Sequence, residues 1–163
     1  MKKGLLLVVL FVVAAFATAC GGSKLDNKKT RTIEDLLDGY VKSVIKADAD
    51  TAKKIFPPFY VEYAKNSLTK ENLDKSLERA KEEYGDDFNI TYEITKTTKM
   101  TEEEVKEVND KMKEYYNADQ DASECYKYEG TITFKGSKFE DTDPISTMGY
   151  CSYDGEWYLV SIS

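Results

Sequence analysis

The sequence predicts an α+β fold, with helices gathered at the start of the domain and an antiparallel sheet towards its end. Three observations predict it. Apolar residues recur at helical spacing from Ile33 to about Tyr84. From Phe88 the period shortens to two, and Phe88, Ile90, Tyr92 and Ile94 alternate with Asn89, Thr91, Glu93 and Thr95. Near the C-terminus, Asp154-Gly155 separates two strand-like runs, a two-residue hairpin signal.

Each element has a local reason. Ile33, Leu36, Leu37, Tyr40, Val41, Val44 and Ile45 form one apolar stripe, and Thr32 with Asp35 makes a capping-box pair at its start. This helix runs to about Ala47. Asp48 or Asp50 starts a short second helix through Ile55. Phe56-Pro57-Pro58-Phe59 breaks it, and Tyr60, Tyr63 and Ala64 continue a helical face to about Asn66. Thr69 caps a helix carrying Leu73, Leu77, Ala80 and Tyr84, with Gly85 as its stop. The alternating run from Phe88 is a half-buried strand. Thr101-Glu102-Glu103-Glu104 opens another helix, with Val105, Val108, Met112 and Tyr115 on its apolar face, ending near Asn117. From Glu124 the chain is strand, with Tyr126, Tyr128, Ile132 and Phe134 on one face and Lys127, Glu129, Thr131 and Thr133 on the other. Gly136 to Asp143 reads as a loop, Ile145 to Tyr153 as the next strand, and Trp157 to Ile162 as the last.

The first residues have a different character. Lys2 and Lys3 precede an unbroken apolar run from Leu5 to Phe16, followed by Ala17-Thr18-Ala19-Cys20-Gly21-Gly22-Ser23. This is the order of an export signal: positive start, apolar centre, small residues at the cut. The apolar stretch is shorter than the ~20 residues of a spanning helix, so removal is expected rather than retention. The cysteine at the cut resembles a bacterial lipobox, with Ala17 standing where such boxes usually place Leu. That resemblance implies a diacylglyceryl group on Cys20, and two acyl chains meet the requirement for stable attachment to a membrane. Secretion with a free Cys20 is the alternative. The domain division expected is a lipoprotein signal peptide (1–19), a lipidated cysteine and flexible tether (20–31), and a single domain (32–163).

Cleavage before Cys20 leaves 144 of the 163 residues and moves the formal charge from −7 to −9, because Lys2 and Lys3 depart. A domain of about 130 residues can build one core without metal staples. Its acidity and lack of a basic face exclude nucleic acid as an expected partner. The chain has no histidine. That removes the commonest general base and transition-metal ligand, and with them the usual Ser-His-Asp and Cys-His nucleophile systems.

Three cysteines are present. With Cys20 lipidated, Cys125 and Cys151 remain as a pair in an oxidising compartment. A hairpin centred near Ser137 and Lys138 sets Cys125 opposite Cys151, Tyr126 opposite Tyr150 and Tyr128 opposite Met148. The apolar residues then agree on one face, as a correct register requires. Directly opposed strand residues are close enough for a disulfide. The alternative is two reduced thiols packing as small hydrophobes; either way the role is structural.

The C-terminal Asp154-Gly155-Glu156-Trp157-Tyr158-Leu159, with the Thr101–Asn117 helix between the first two long strands, resembles a group of small Gram-positive lipoproteins of unassigned function. Their domains look like the nuclear transport factor 2-like, or cystatin-like, cone, in which a curved antiparallel sheet wraps over an N-terminal helix. The resemblance implies that fold, and a lipid-anchored place on the outer face of the cytoplasmic membrane. It implies little about activity, because this fold carries both enzymes and binding modules.

The residues offer four kinds of candidate site. A cone cavity would be lined by Tyr92, Tyr126, Tyr128, Tyr150 and Trp157 from the sheet and by Tyr40, Tyr60 and Tyr63 from the helices. Tyrosine joins apolar area to a hydroxyl, which suits recognition of a small ligand or peptide. The plainer reading makes the same residues core. An isomerase- or dehydratase-like enzyme would need a pocket carboxylate beside a tyrosine, and the pattern sets Glu93, Glu129, Glu102, Glu103 and Glu104 on polar faces instead. Asp48/Asp50, Asp119/Asp121 and Glu140-Asp141-Thr142-Asp143 cluster hard oxygen ligands, but none follows a calcium-loop spacing. No metal or cofactor is therefore expected. The alternating acid and lysine face from Glu102 to Glu114 is read as a solvated surface open to an envelope partner. The sequence-level expectation is a non-enzymatic envelope lipoprotein with a binding or accessory role.

Overall fold

The computed structural model describes residues 31–145 and 148–161, so the leader, Cys20 and the tether lie outside the described residues. It is an α+β chain of five helices and five antiparallel strands.

Helix α1 (Ile33–Ile45) is capped as the sequence predicts: Thr32 Oγ1 accepts from the Asp35 N–H at 3.2 Å, and Asp35 Oδ2 accepts from the Thr32 N–H at 2.9 Å. Helix α2 (Ala49–Ile55) starts at Asp48, whose carboxylate accepts from the Thr51 N–H at 3.0 Å. It crosses α1 closely. A Cβ on Gly39 would come within 2.7 Å of Ile55 Cγ2, so only glycine admits this approach. Pro57 and Pro58 then turn the chain into the short α3 (Pro58–Tyr63). Helix α4 (Lys70–Tyr84) begins on Thr69 and stops at Gly85, whose φ of 118° lies in the region that favours glycine.

Strand β1 (Asn89–Lys99) is followed by α5 (Glu102–Tyr116), which opens with the Thr101/Glu104 capping box. Strands β2 (Glu124–Lys135), β3 (Glu140–Ile145), β4 (Met148–Tyr153) and β5 (Glu156–Ser161) complete the sheet. Its order is β1-β2-β4-β5, with β3 lying beside the far end of β2. The turn at Asp154-Gly155 has φ of 51° and 81°, both positive as a two-residue primed hairpin requires.

Two details depart from the sequence reading. Residues 140–143 are strand rather than loop, because β2 continues to Lys135 and pairs Lys135 with Glu140 across a tight turn. The stripe of α5 ends on Tyr116 and not Tyr115, which is 60% exposed.

The sheet is irregular at one level. Gly130 pairs with Ile145, yet five residues back on β2 Cys125 pairs with Cys151, six residues on, so one extra residue is inserted between β3 and β4. On the other side, β1 carries a bulge between Ile94 and Lys96, again beside Gly130. Bulges bend and twist a strand, and Gly130 takes that bend from both neighbours. A Cβ there would meet the Glu93 carbonyl oxygen at 2.0 Å.

Each face of the sheet carries its own apolar cluster. Leu36, Leu37 and Tyr40 of α1, with Ile55, lie against Ile90, Tyr92, Tyr128, Ile132, Ile145 and Leu159. Behind the sheet, Val108 and Met112 of α5 join Cys125, Cys151, Tyr153, Val160 and Phe59.

Candidate functional site

Cys125 and Cys151 sit directly opposite one another in the β2–β4 ladder and form a disulfide, with Cα atoms 4.1 Å apart. Tyr126 faces Tyr150, and the described pairs of this ladder end at Lys127–Gly149. Strand alternation turns the bridge towards α5, away from Tyr126 and Tyr150. Both cysteines are fully buried.

The eight aromatic residues proposed as a cavity lining occupy three places. Tyr40, Tyr92 and Tyr128 are buried between α1 and the sheet, at 4%, 3% and 2% exposure. Tyr126, Tyr150 and Trp157 form a ring cluster at the end of the sheet where α1 begins. Tyr150 stacks on Trp157 at 4.2 Å, and Tyr126 lies 5.8 Å from Trp157. The Tyr150 hydroxyl donates to the Arg31 carbonyl at 2.7 Å, and burial pushes it up to about 12. Tyr60 and Tyr63 belong to a third cluster, meeting Tyr116 of α5 edge-on at 5.2 and 5.1 Å.

Two of the cavities among the described residues lie near these clusters. The wider is an open groove of about 620 Å³ beneath α5, running along Lys99, Lys106, Lys113, Asp121 and Glu124. Six of its charged residues are paired with one another: Lys106 with Asp110 at 2.7 Å, Lys113 with Asp121 at 2.7 Å, Lys99 with Glu124 at 2.5 Å. The smaller is an apolar slot of about 60 Å³ between α1 and α4, reaching Tyr40, Phe56, Leu73, Leu77, Tyr84 and Phe134. Of the eight expected residues it includes Tyr40 and Tyr60. The Tyr40 hydroxyl is buried with no hydrogen-bond partner among the described residues, and burial pushes it far above the usual phenol range. Sequence reasoning read α4 as a packing helix, because its stripe of Leu73, Leu77, Ala80 and Tyr84 gives no sign that the helix roofs a space.

Among the described carboxylates, Asp38 is pushed up, by partial burial and then by Asp35 and Glu34, against a lowering contact from Tyr92. The Tyr92 hydroxyl approaches Asp38 Oδ1 at 3.4 Å. Neither cavity above includes this pair, and Asp38 is exposed. The acidic clusters are engaged elsewhere. Asp48 caps α2 and pairs with Lys42 at 2.9 Å, and the Thr51 N–H and Lys42 hold its carboxyl well below the usual range. Asp121 pairs with Lys113, and Glu140 pairs with Lys135 at 2.5 Å. Among the described residues no group of three or more Cys, Asp or Glu is arranged to hold a metal ion. None of the described helices is long and apolar enough to cross a membrane.

Compared with protein-family models, with curated proteins and with solved structures, the chain matches none.

Proposed function

We propose that this chain is a lipid-anchored extracytoplasmic protein that binds a partner or ligand at the cell envelope and catalyses no reaction. The observation that carries the reading is the use of cysteine. Two of three are joined as Cys125–Cys151, so Cys20, directly after the apolar leader, is the single thiol left for acylation. A buried bridge between adjacent strands fits an oxidising compartment. The order of elements, with a helix between the first two strands, is that expected of a nuclear transport factor 2-like or cystatin-like cone, and the lipobox-like Ala17-Thr18-Ala19-Cys20 is what supports a Gram-positive membrane surface. The carboxylate that meets a tyrosine, Asp38, is exposed and lies in neither cavity above, which favours binding over an isomerase- or dehydratase-like reaction.

The test is to express the full chain in a Gram-positive host fed an alkyne fatty acid. Wild type is expected in the membrane fraction, labelled, with Cys125 and Cys151 protected from maleimide until reduced. Cys20→Ser is expected to lose the label and leave the membrane. An unlabelled wild type in the cytoplasm with all three thiols reactive would refute the reading.

A further inference from the structure

We infer that the tyrosine cluster of α3 and α5, Tyr60, Tyr63, Tyr115 and Tyr116, is a membrane-contact surface that seats on the lipid headgroups and orients the domain. The inference rests on the lipid anchorage proposed above, and adds to it the face that the domain turns to the bilayer.

Exposure singles the cluster out. Three large apolar side chains among the described residues stand clear of the fold: Tyr63 at 66%, Tyr115 at 60% and Phe139 at 50%. The two tyrosines belong to one patch. Tyr63 meets Tyr116 edge-on at 5.1 Å, Tyr115 precedes Tyr116 on the last turn of α5, and Tyr60 touches both Tyr63 and Tyr116. Each ring joins an apolar body to a hydroxyl, the combination that favours the boundary between lipid and water.

Charge fits the same partner. After cleavage the chain has a formal charge of −9, so most of its surface is repelled by anionic lipid. Residues 58–69 and 111–122, which carry the four rings, hold Lys65, Lys111 and Lys113 against Glu62, Glu114, Asp119 and Asp121. This region is close to neutral and approaches an anionic surface with little repulsion.

Place fits as well. Arg31, the described residue nearest to Cys20 in the chain, lies over the Tyr158 ring of β5. Tyr158 meets Tyr153 at 6.3 Å, and Tyr153 meets Phe59 of α3 at 5.3 Å. The described chain therefore begins at the end of the sheet where the tyrosines stand. Phe139 is at the other end, in the turn between β2 and β3. Ten residues separate Cys20 from Arg31, a reach of at most ~40 Å. Tethering over such a span gives effective concentrations of about millimolar, so a contact too weak to hold a free protein is still occupied. Two exposed tyrosines offer about 300 Å², well under the ~800 Å² per partner of a stable protein interface. The patch is too small to hold a second copy, and sufficient for a surface to which the chain is already tied.

The experiment supplies the anchor chemically. The chain from Cys20 onward carries every residue of both apolar clusters, and Cys20 is its one unbridged thiol. It is coupled to a maleimide phospholipid in phosphatidylcholine vesicles, with or without phosphatidylglycerol, and compared with the same chain capped by N-ethylmaleimide in solution. Hydroxyl-radical labelling is read residue by residue by mass spectrometry. Tyr63, Tyr115 and Tyr116 are expected to react about fivefold less on both kinds of vesicle, with Phe139 unchanged as the internal standard. Tyr63→Ser with Tyr115→Ser alters two exposed side chains and leaves the fold intact. In that variant Tyr116 should react on vesicles as it does in solution. Equal reactivity of Tyr63 and Tyr115 on vesicles and in solution, or equal protection of Phe139, would overturn the inference. Protection of the capped chain by soluble cell-wall glycan, with none on vesicles, would overturn it in favour of a sugar surface. Because the anchor is supplied, failure here leaves acylation of Cys20 standing, and an unlabelled Cys20 in the host leaves the vesicle result standing.

Discussion

On one face of the sheet, α1 lays Leu36 and Leu37, neither with any exposed surface, onto Ile90, Tyr92, Tyr128, Ile132 and Leu159. On the other, α5 contributes Val108 and Met112, the small Ala118 and Ala122 fill in from the following loop, and a covalent bridge lies at the centre. The first face is held by buried apolar residues from two helices and four strands. The second has α5, of mostly charged sequence, and Phe59 of the short α3, and compensates with a cross-link that restricts the unfolded chain. The contrast teaches that a domain can distribute unlike stabilising devices over two sides of one sheet.

Removing the bridge sharpens this contrast most. Cys125→Ala with Cys151→Ala is expected to cost about 3.5 kcal/mol, from the loop it closes. Hydrogen exchange should then show α5 opening at lower free energy than α1. If α1 and α5 lose protection together, the two faces are one cooperative unit and the contrast fails.

A smaller effect has the opposite sign. The hydroxyls of Tyr40 on the first face and Tyr153 on the second are both buried without partners among the described residues. Replacing either tyrosine with Phe removes an unpaired polar group, so each change should stabilise the fold by about 1 kcal/mol in urea unfolding. Destabilisation by Tyr153→Phe would mean that its hydroxyl is satisfied.

The smallest effect at neutral pH grows in alkali. Burial pushes Tyr60 and Tyr84 up to about 12, and Tyr40, Tyr128 and Tyr153 higher still. Tyrosines of an unfolded chain ionise near 10. The native state therefore keeps protons that the unfolded state releases. Their contribution to stability is complete below about pH 10 and is lost as pH rises from there towards 12. Phenolate absorbance should appear late and together with loss of helical circular dichroism. A smooth titration near pH 10 with the fold intact would contradict this burial.

Much of the fold was legible because its signals are local. Thr32, Thr69 and Thr101 mark helix starts by their own hydrogen bonds, and Gly85 and Asp154-Gly155 mark turns by positive φ. The Cys125–Cys151 register was legible because a period of two leaves little freedom once one face is apolar. Strand β3 was not. Glu140-Asp141-Thr142-Asp143 is exposed, so it carries no apolar alternation, and only its ladder with β2 makes it a strand. The slot was hidden for a related reason. Its walls come from four helices, the connecting segments beside them and Phe134 of β2, and no stretch of sequence records that α4 stands slightly apart from α1. Of the eight aromatic residues expected to line one cavity, the fold puts Tyr40 and Tyr60 at the slot and the other six elsewhere.

Arg31, where the described chain begins, is fastened on several sides. Its guanidinium donates to the Lys54 carbonyl, lies 3.6 Å from the Glu156 carboxylate and sits over the Tyr158 ring, while its carbonyl accepts from Tyr150. Any pull transmitted along the chain from its N-terminal side would reach these fastenings before it reached the first turn of α1. The load would pass sideways into β4 and β5, where ladder bonds share it in shear, instead of peeling the helix off one residue at a time. Mechanically, the domain is gripped by its sheet although it is joined at its helix.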